Sequence, residues 1–395
     1  MTKNQIITLA TGLLAATHAS FANEVTFGGF LSNGYMETSA NNYLADTDKG
    51  TWDFAEIGLN ATWSPLDRTT VRGQLFSFEL GPYGNFDPVV DYLFVDYNVA
   101  PEFGLRLGRV KRAEGIYTDI QDVDVARTSI LLPAGMYDPR YRNFSAAVDG
   151  LSLYGNVAAG NGSFDYTIYH GTLDFGTEGG VAGYAQTLIG RSLLDTHVDK
   201  VESDTNSGLQ IWWNTPLMGL RFGASHSIYK NIEVATSGTH PVFGVPVLIE
   251  NNSEATWTRF SAEYYVGDWT FVSEFHIEDI DALQRQSVAG TPGAWSPTAQ
   301  TGESWYVSAS RRFLDKFQGG LTYSEYLTDK DASGVGNELD GLQLSLRYDA
   351  TDNWSLKAEI NSFTGLGRIF NQYGQNPEPS ESSWTLFAAK STFSF

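Results

Sequence analysis

Charged side chains carry most of the chemistry this sequence offers. Between residues 112 and 143, the carboxylates of Glu114, Asp119, Asp122, Asp124 and Asp138 stand among the guanidinium groups of Arg112, Arg127, Arg140 and Arg142. The acids cluster in Asp119–Asp124, and Arg140 and Arg142 lie at the end of the segment. Fixed charges of opposite sign set across a narrow space orient dipolar solutes and admit small ions of either sign. In an open loop, the same acids are only a solvated run. Carboxylates at Asp46, Asp48 and Asp119–Asp124 suit Ca2+ by type, but the strict EF-hand spacing is missing. Glu274, His276 and Glu278 recur at every second position, so a strand puts them on one face. Their types suit a metal, and they suit the polar lining of a cavity better. His170, His197, His226 and His240 show no ligand spacing. A hydrolase needs Ser or Asp with a histidine such as His170 or His276 in reach, and nothing marks a nucleophile. No phosphate-cradling glycine motif and no cysteine is present. The expectation is a protein that is not an enzyme and takes no cofactor.

The chain has 395 residues and a formal net charge of −21, which excludes nucleic-acid binding through a basic footprint. Lys3, the apolar stretch Ile6–Ala16 and the small residues Ser20 and Ala22 read as a secretory signal peptide over 1–22, leaving 23–395 as the mature protein. No later stretch approaches 18 consecutive apolar residues, so a membrane, if crossed, is crossed by strands.

The body alternates with period two. Ala55, Ile57, Leu59, Ala61 and Trp63 share one face, and Glu56, Asn60 and Thr62 the other. Leu342–Tyr348 and Trp354–Ile360 repeat the pattern. Short turns are read at 64–67, 100–103, 158–162, 214–219, 267–268, 312–316 and 349–352. Longer loops fall near 36–50, 79–88, 112–143, 172–206, 229–254, 279–302, 328–338 and 364–381. Short and long connections alternate, which gives sixteen strands. The expected fold is all-β: a 16-stranded antiparallel transmembrane β-barrel with short periplasmic turns and long extracellular loops. Trp63, Trp213, Trp269 and Trp354 flank short turns on the apolar parity, as an interfacial girdle requires. Trp52, Trp257, Trp305 and Trp384 fall near long loops, but only Trp52 and Trp305 have outward parity.

The last strand, Phe387–Phe395, alternates Phe387, Ala389, Phe393 and Phe395 with Lys390 and Thr392. It resembles the final strand of Gram-negative outer-membrane barrels, which ends in a terminal Phe. Leu105–Lys111 resembles the strand that enters a porin's constriction loop. The chain as a whole resembles the 16-stranded trimeric porins. That resemblance implies an outer-membrane location after secretion to the periplasm, and contact with lipid and lipopolysaccharide. It also implies a homotrimer, barrel assembly machinery reading Phe395, and a third long loop, 112–143, folded into the lumen as a constriction.

Inward parity nominates equal numbers of basic and acidic wall residues. The basic ones are Arg72, Arg106, Arg221, Arg259, Arg347, Lys357 and Lys390. The acidic ones are Glu56, Asp96, Asp165, Glu263, Glu274, Glu278 and Glu359. Arg109 shares the outward parity of Leu105 and Leu107. It is expected either to be turned inward by a bulge at Gly108 or to be sheltered at a subunit contact. The expected constriction set is Arg72, Arg106, Arg109, Asp119, Asp122, Asp124, Arg127, Arg140 and Arg142, with Glu56 and Asp96 on the wall. The function expected is passive diffusion of small hydrophilic solutes and ions, with a weak cation preference from the acidic loops. The alternative is a channel selective for a small anionic solute, phosphate or carboxylate, built on Arg72, Arg106, Arg109, Arg140 and Arg142.

Overall fold

The structure is a computed structural model; it describes residues 25–173, 180–186, 193–370, 376 and 381–395. The expected signal peptide, 1–22, lies outside the described residues, as do Asp174, Glu178 and Arg191 of the fourth long loop.

Sixteen strands form the wall: β1 (Val25–Thr38), β2 (Phe54–Leu66), β3 (Thr69–Leu80), β4 (Val89–Ala100), β5 (Phe103–Lys111), β6 (Ala147–Ala159), β7 (Gly162–Leu173), β8 (Leu194–Asn214), β9 (Leu220–Thr239), β10 (Pro246–Val266), β11 (Trp269–Val288), β12 (Ser296–Phe313), β13 (Phe317–Leu327), β14 (Leu339–Thr351), β15 (Trp354–Gly365) and β16 (Ser383–Ser394). Each pairs antiparallel with its neighbours in sequence. β1 closes the barrel on β16, with Phe30 opposite Ser394 and Thr38 opposite Leu386. Closure leaves no strand edge to satisfy, the condition for a sheet that sits in lipid. A two-residue extension, Thr291–Pro292, pairs with the tip of β11.

The wall is apolar outside and polar inside. On β14, Leu342, Leu344 and Leu346 are 49%, 59% and 44% exposed, while Gln343, Ser345 and Arg347 between them are 7%, 4% and 8% exposed. A water-soluble sheet does the reverse. Trp63, Trp213, Trp269 and Trp354 all lie exposed at the short-turn end. Trp384 is buried and Trp257 bonds inward to Glu278, so neither joins an outer girdle.

All seven short turns stand where the alternation puts them. Gly267 shows why so little chain suffices there. Its φ of +57°, easy only for a residue without Cβ, sits in the two-residue link between β10 and β11.

Three long loops are corrected, 172–206 only in part, because β8 begins at Leu194. The expected loops 229–254 and 279–302 are mostly strand, and only 240–245 and 289–295 connect β9 to β10 and β11 to β12. β8 to β11 run 20 or 21 residues and β12 runs 18. About 9–11 residues cross a bilayer, so these five strands stand well clear of it as a raised outer wall. Above the membrane a strand has no lipid face. The period-two polarity contrast fades there, and the sequence looks like loop.

Candidate functional site: the lumen and its inserted loop

After Lys111 the chain leaves the wall, and residues 112–146 turn into the lumen as three short helical turns and two four-residue helices. What pulls the loop inward is a set of charged and polar wall side chains that it satisfies. At its root, the Arg112 guanidinium is fully buried. It donates to Glu114, to the Tyr229 hydroxyl and, at 2.9 Å, to the Phe144 carbonyl. The Tyr169 hydroxyl donates to Glu114 at 2.5 Å. Next, Glu274 on β11 accepts from the Ile116 N–H at 2.9 Å and from the hydroxyls of Tyr137 (2.5 Å), Ser261 (2.7 Å) and Tyr306 (2.8 Å). Gly115 makes this approach feasible. Its φ is +58°, and a Cβ there would stand 2.6 Å from the Glu274 carboxylate.

The loop then crosses to the opposite wall. The Asp122 carboxylate meets Arg142 at 2.9 Å and accepts from Gln74 at 3.1 Å; Arg142 also reaches Asp91 at 2.7 Å. Asp124 lies 2.8 Å from Lys390, 3.7 Å from Lys357 and 3.4 Å from Arg127, and accepts from the Thr392 hydroxyl at 2.6 Å. Beyond it, Arg347 donates to the Val125 carbonyl at 2.7 Å and the Ile130 N–H to Glu359 at 2.6 Å. Arg140 is clamped by Asp138 and donates to the Arg368 carbonyl at 2.9 Å. The loop is therefore tethered around most of the circumference.

These distances revise the expected array of acids facing an arginine ladder. Asp122, Asp124, Arg140 and Arg142 are buried and consumed in ion pairs, and Arg127 ties back to Asp124 and to the Gln121 carbonyl. Glu56 and Asp96 point inward as expected, but each is neutralised on the wall. Glu56 pairs with Lys390 at 2.5 Å, and Asp96 with Arg106 at 3.0 Å. Asp119 remains open on the loop, and Arg72 is open on the wall with no ion-pair partner among the described residues. Arg109 is a correction. No bulge turns it. It stands opposite Leu93 and Asp149, on the outer face, where Leu93 is 53% exposed, and it pairs with Asp149 at 3.1 Å. Gly108 takes a φ of +128° yet keeps the register. Arg109 does not line the lumen.

Asp91, Gln74, Tyr169 and Tyr229 were not foreseen as loop anchors. The one signal for Asp91 was a charge interrupting the apolar run Val89–Val95. A register shift in the β3–β4 pairing at Gln74 and Leu75 accompanies its inward turn. Glu274 and His276 do share a face. His276 accepts from Arg259 at 3.3 Å, and no three metal-ligating side chains meet among the described residues.

Burial by itself would raise the loop carboxyls, but neighbouring cations prevail. Lys390, Lys357 and Arg127 hold Asp124 far below its ordinary value, Arg142 and Lys111 hold Asp122 down, and Arg112 holds Glu114 down. Asp119 differs: although it opens to the lumen, desolvation by the surrounding loop and wall pushes it above 3.8, against Lys111 and Arg106. A carboxyl depressed by folding adds stability above its unfolded pKa, about 4, and loses it as pH falls toward the folded value. The ion pairs of Asp124, Asp122 and Glu114 should therefore keep their carboxylate charge from neutral pH down to about pH 4 and lose it only in stronger acid. Asp119 should discharge earlier. Reversal potentials across a KCl gradient should drift toward anions as pH is lowered from neutral to about 4, while conductance holds. A conductance step in that window would contradict the assignment.

No family model and no curated protein matches the chain. Among solved structures, it is similar to in-vitro folded OmpT, an outer membrane protein of Vibrio cholerae (15% identity, 96% of this chain and 99% of that one, TM-score 0.58). It is also similar to OmpF of Salmonella typhi in complex with daunomycin (12%, 94% and 98%, TM-score 0.57). A third is the anion-selective porin of Comamonas acidovorans (12%, 94% and 100%, TM-score 0.54). At these identities the likeness is one of architecture. The chain shares the β-barrel fold of these outer-membrane proteins.

Proposed function

We propose that the protein is a non-catalytic outer-membrane channel for passive diffusion of small hydrophilic solutes and ions. The observation that carries this is a closed sixteen-stranded wall, polar inside, with residues 112–146 held across the lumen by wall side chains. A barrel of this size leaves room for water, and an inserted loop sets how much of that room is left. We place the mature chain, 23–395, in the outer membrane as a homotrimer contacting lipid and lipopolysaccharide, with Phe395 presented to the assembly machinery.

A selective anion channel is less favoured. Of the five arginines proposed for its ladder, Arg140 and Arg142 are ion-paired in the loop and Arg109 faces outward. Arg72 and Arg106 remain, and Arg106 is ion-paired with Asp96.

The test is planar-bilayer conductance of the purified protein under a KCl gradient. Ohmic openings in threes with a slight cation preference are expected. Folded protein without conductance would remove the channel proposal. Replacing Arg72 and Arg106 with Ala should strengthen cation preference severalfold, because Arg72 is the open cation on this wall. An unchanged reversal potential would take both out of the conduction path.

A further inference from the structure

Above the inserted loop, the raised strands β9–β12 and the loop before β14 enclose a vestibule of about 1170 Å³. That is enough for a small solute with its water. Two charges on its lining are already matched. Arg285 pairs with Glu250, and Asp138 with Arg140.

Three are not. Arg259, 3% exposed, donates to His276, to the Thr118 hydroxyl (3.0 Å) and to the Met136 carbonyl (3.3 Å), all neutral. Arg368, 7% exposed, donates to the Tyr141 hydroxyl (3.2 Å) and the Gly135 carbonyl (3.4 Å) and lies over the Tyr326 ring at 4.1 Å. Its Nε–H is buried without a partner among the described residues. Opposite in sign, Glu278 accepts from the Trp257 indole at 2.8 Å and has no cation within ion-pair distance among the described residues. Neither arginine is bridged to it.

A guanidinium taken out of water without a counter-charge is costly, and a carboxylate likewise. Here both signs face one cavity and stay apart. A ligand that brings both complementary charges relieves both costs at once. We propose that the vestibule floor is a binding site for small zwitterionic solutes, amino acids or short peptides. Arg259 and Arg368 take the carboxylate, and Glu278 takes the ammonium beside the Trp257 ring. Guanidinium forks suit a planar carboxylate, and the Glu278 carboxylate, held by the Trp257 indole N–H, suits an ammonium. Binding is weak, in the millimolar range, because a permeating solute must also leave. This site deepens the channel proposal, on which it rests only for solute access. Binding and conduction are read separately.

The experiment is calorimetric titration of the detergent-solubilised, folded protein with glycylglycine, acetate and methylammonium. Glycylglycine should bind at least tenfold more tightly than either single-charge probe. Arg368→Gln and Glu278→Gln should each bring it down to the level of the single-charge probes. Should Arg368→Gln fail to fold, the near-isosteric Glu278→Gln carries the test. Equal affinity for the three probes, or preference unchanged in the folded variants, overturns the site. Normal conductance without the glycylglycine preference sinks this site and spares the channel. The preference without conductance sinks the channel and spares the site.

Discussion

Replacing Asp124 with Ala is expected to raise single-channel conductance severalfold and to move the reversal potential toward anions. Asp124 is 4% exposed and is the common partner of Lys390, Lys357 and Thr392, on two adjacent strands. Removing it leaves Lys357 buried with no ion-pair partner among the described residues and Lys390 with Glu56 alone, a loss of about 3–5 kcal/mol for a broken buried pair. The barrel itself has a cheaper escape than unfolding: the segment around Asp124 can lift from the wall and let water reach both lysines. The tethers beyond it, Arg347 to the Val125 carbonyl and Glu359 to the Ile130 N–H, hang on the same stretch and weaken with it. A wider, more positive aperture follows. Asp124→Asn, which keeps an acceptor for Thr392, should show an intermediate effect. A folded Asp124→Ala protein with unchanged conductance would mean that this tether does not set the aperture.

The wall was legible in the sequence because lipid and lumen impose opposite demands on alternate residues. Leu342, Leu344 and Leu346 had to be apolar and Gln343, Ser345 and Arg347 had to be polar, and the turns fell between such stretches. Where the bilayer ends, that demand ends too. Ser253, buried and inward, and Glu254, exposed and outward, are both polar, so β10 above the membrane carried no pattern to read. The loop was visible as a charged segment but its partners were not. Asp124 meets Thr392 across 268 positions and Ile130 meets Glu359 across 229, separations set by barrel curvature and register rather than by local spacing. Of the two alternatives for Arg109, the inward turn failed for another reason. The expectation assumed a lone charge, and its outward neighbour Asp149 supplies a counter-ion across the β5–β6 pair.

Arg112→Met should cost the folded barrel about 3–5 kcal/mol and lower its thermal unfolding temperature, read by the heat-dependent shift in gel mobility. Asp124 holds the far end of the loop; Arg112 holds its root. The side chain is fully buried and its guanidinium binds Glu114, Tyr229 and the Phe144 carbonyl. Methionine fills the space but leaves Glu114, 3% exposed, as a buried carboxylate with only hydroxyl donors such as Tyr169 nearby. Unlike the tether at Asp124, this cluster is enclosed by Phe144, Val148, Tyr169 and Tyr229. Water cannot relieve the charge without opening the packed core where β5 hands over to the loop. The penalty therefore falls on stability more than on aperture. A double variant, Arg112→Met with Glu114→Gln, removes the orphaned charge and should recover a large part of the loss. The coupling between the two positions then measures the ion pair itself. If Arg112→Met alone is as stable as the native protein, the loop must be anchored by its hydrophobic contacts, and the double variant would show no recovery.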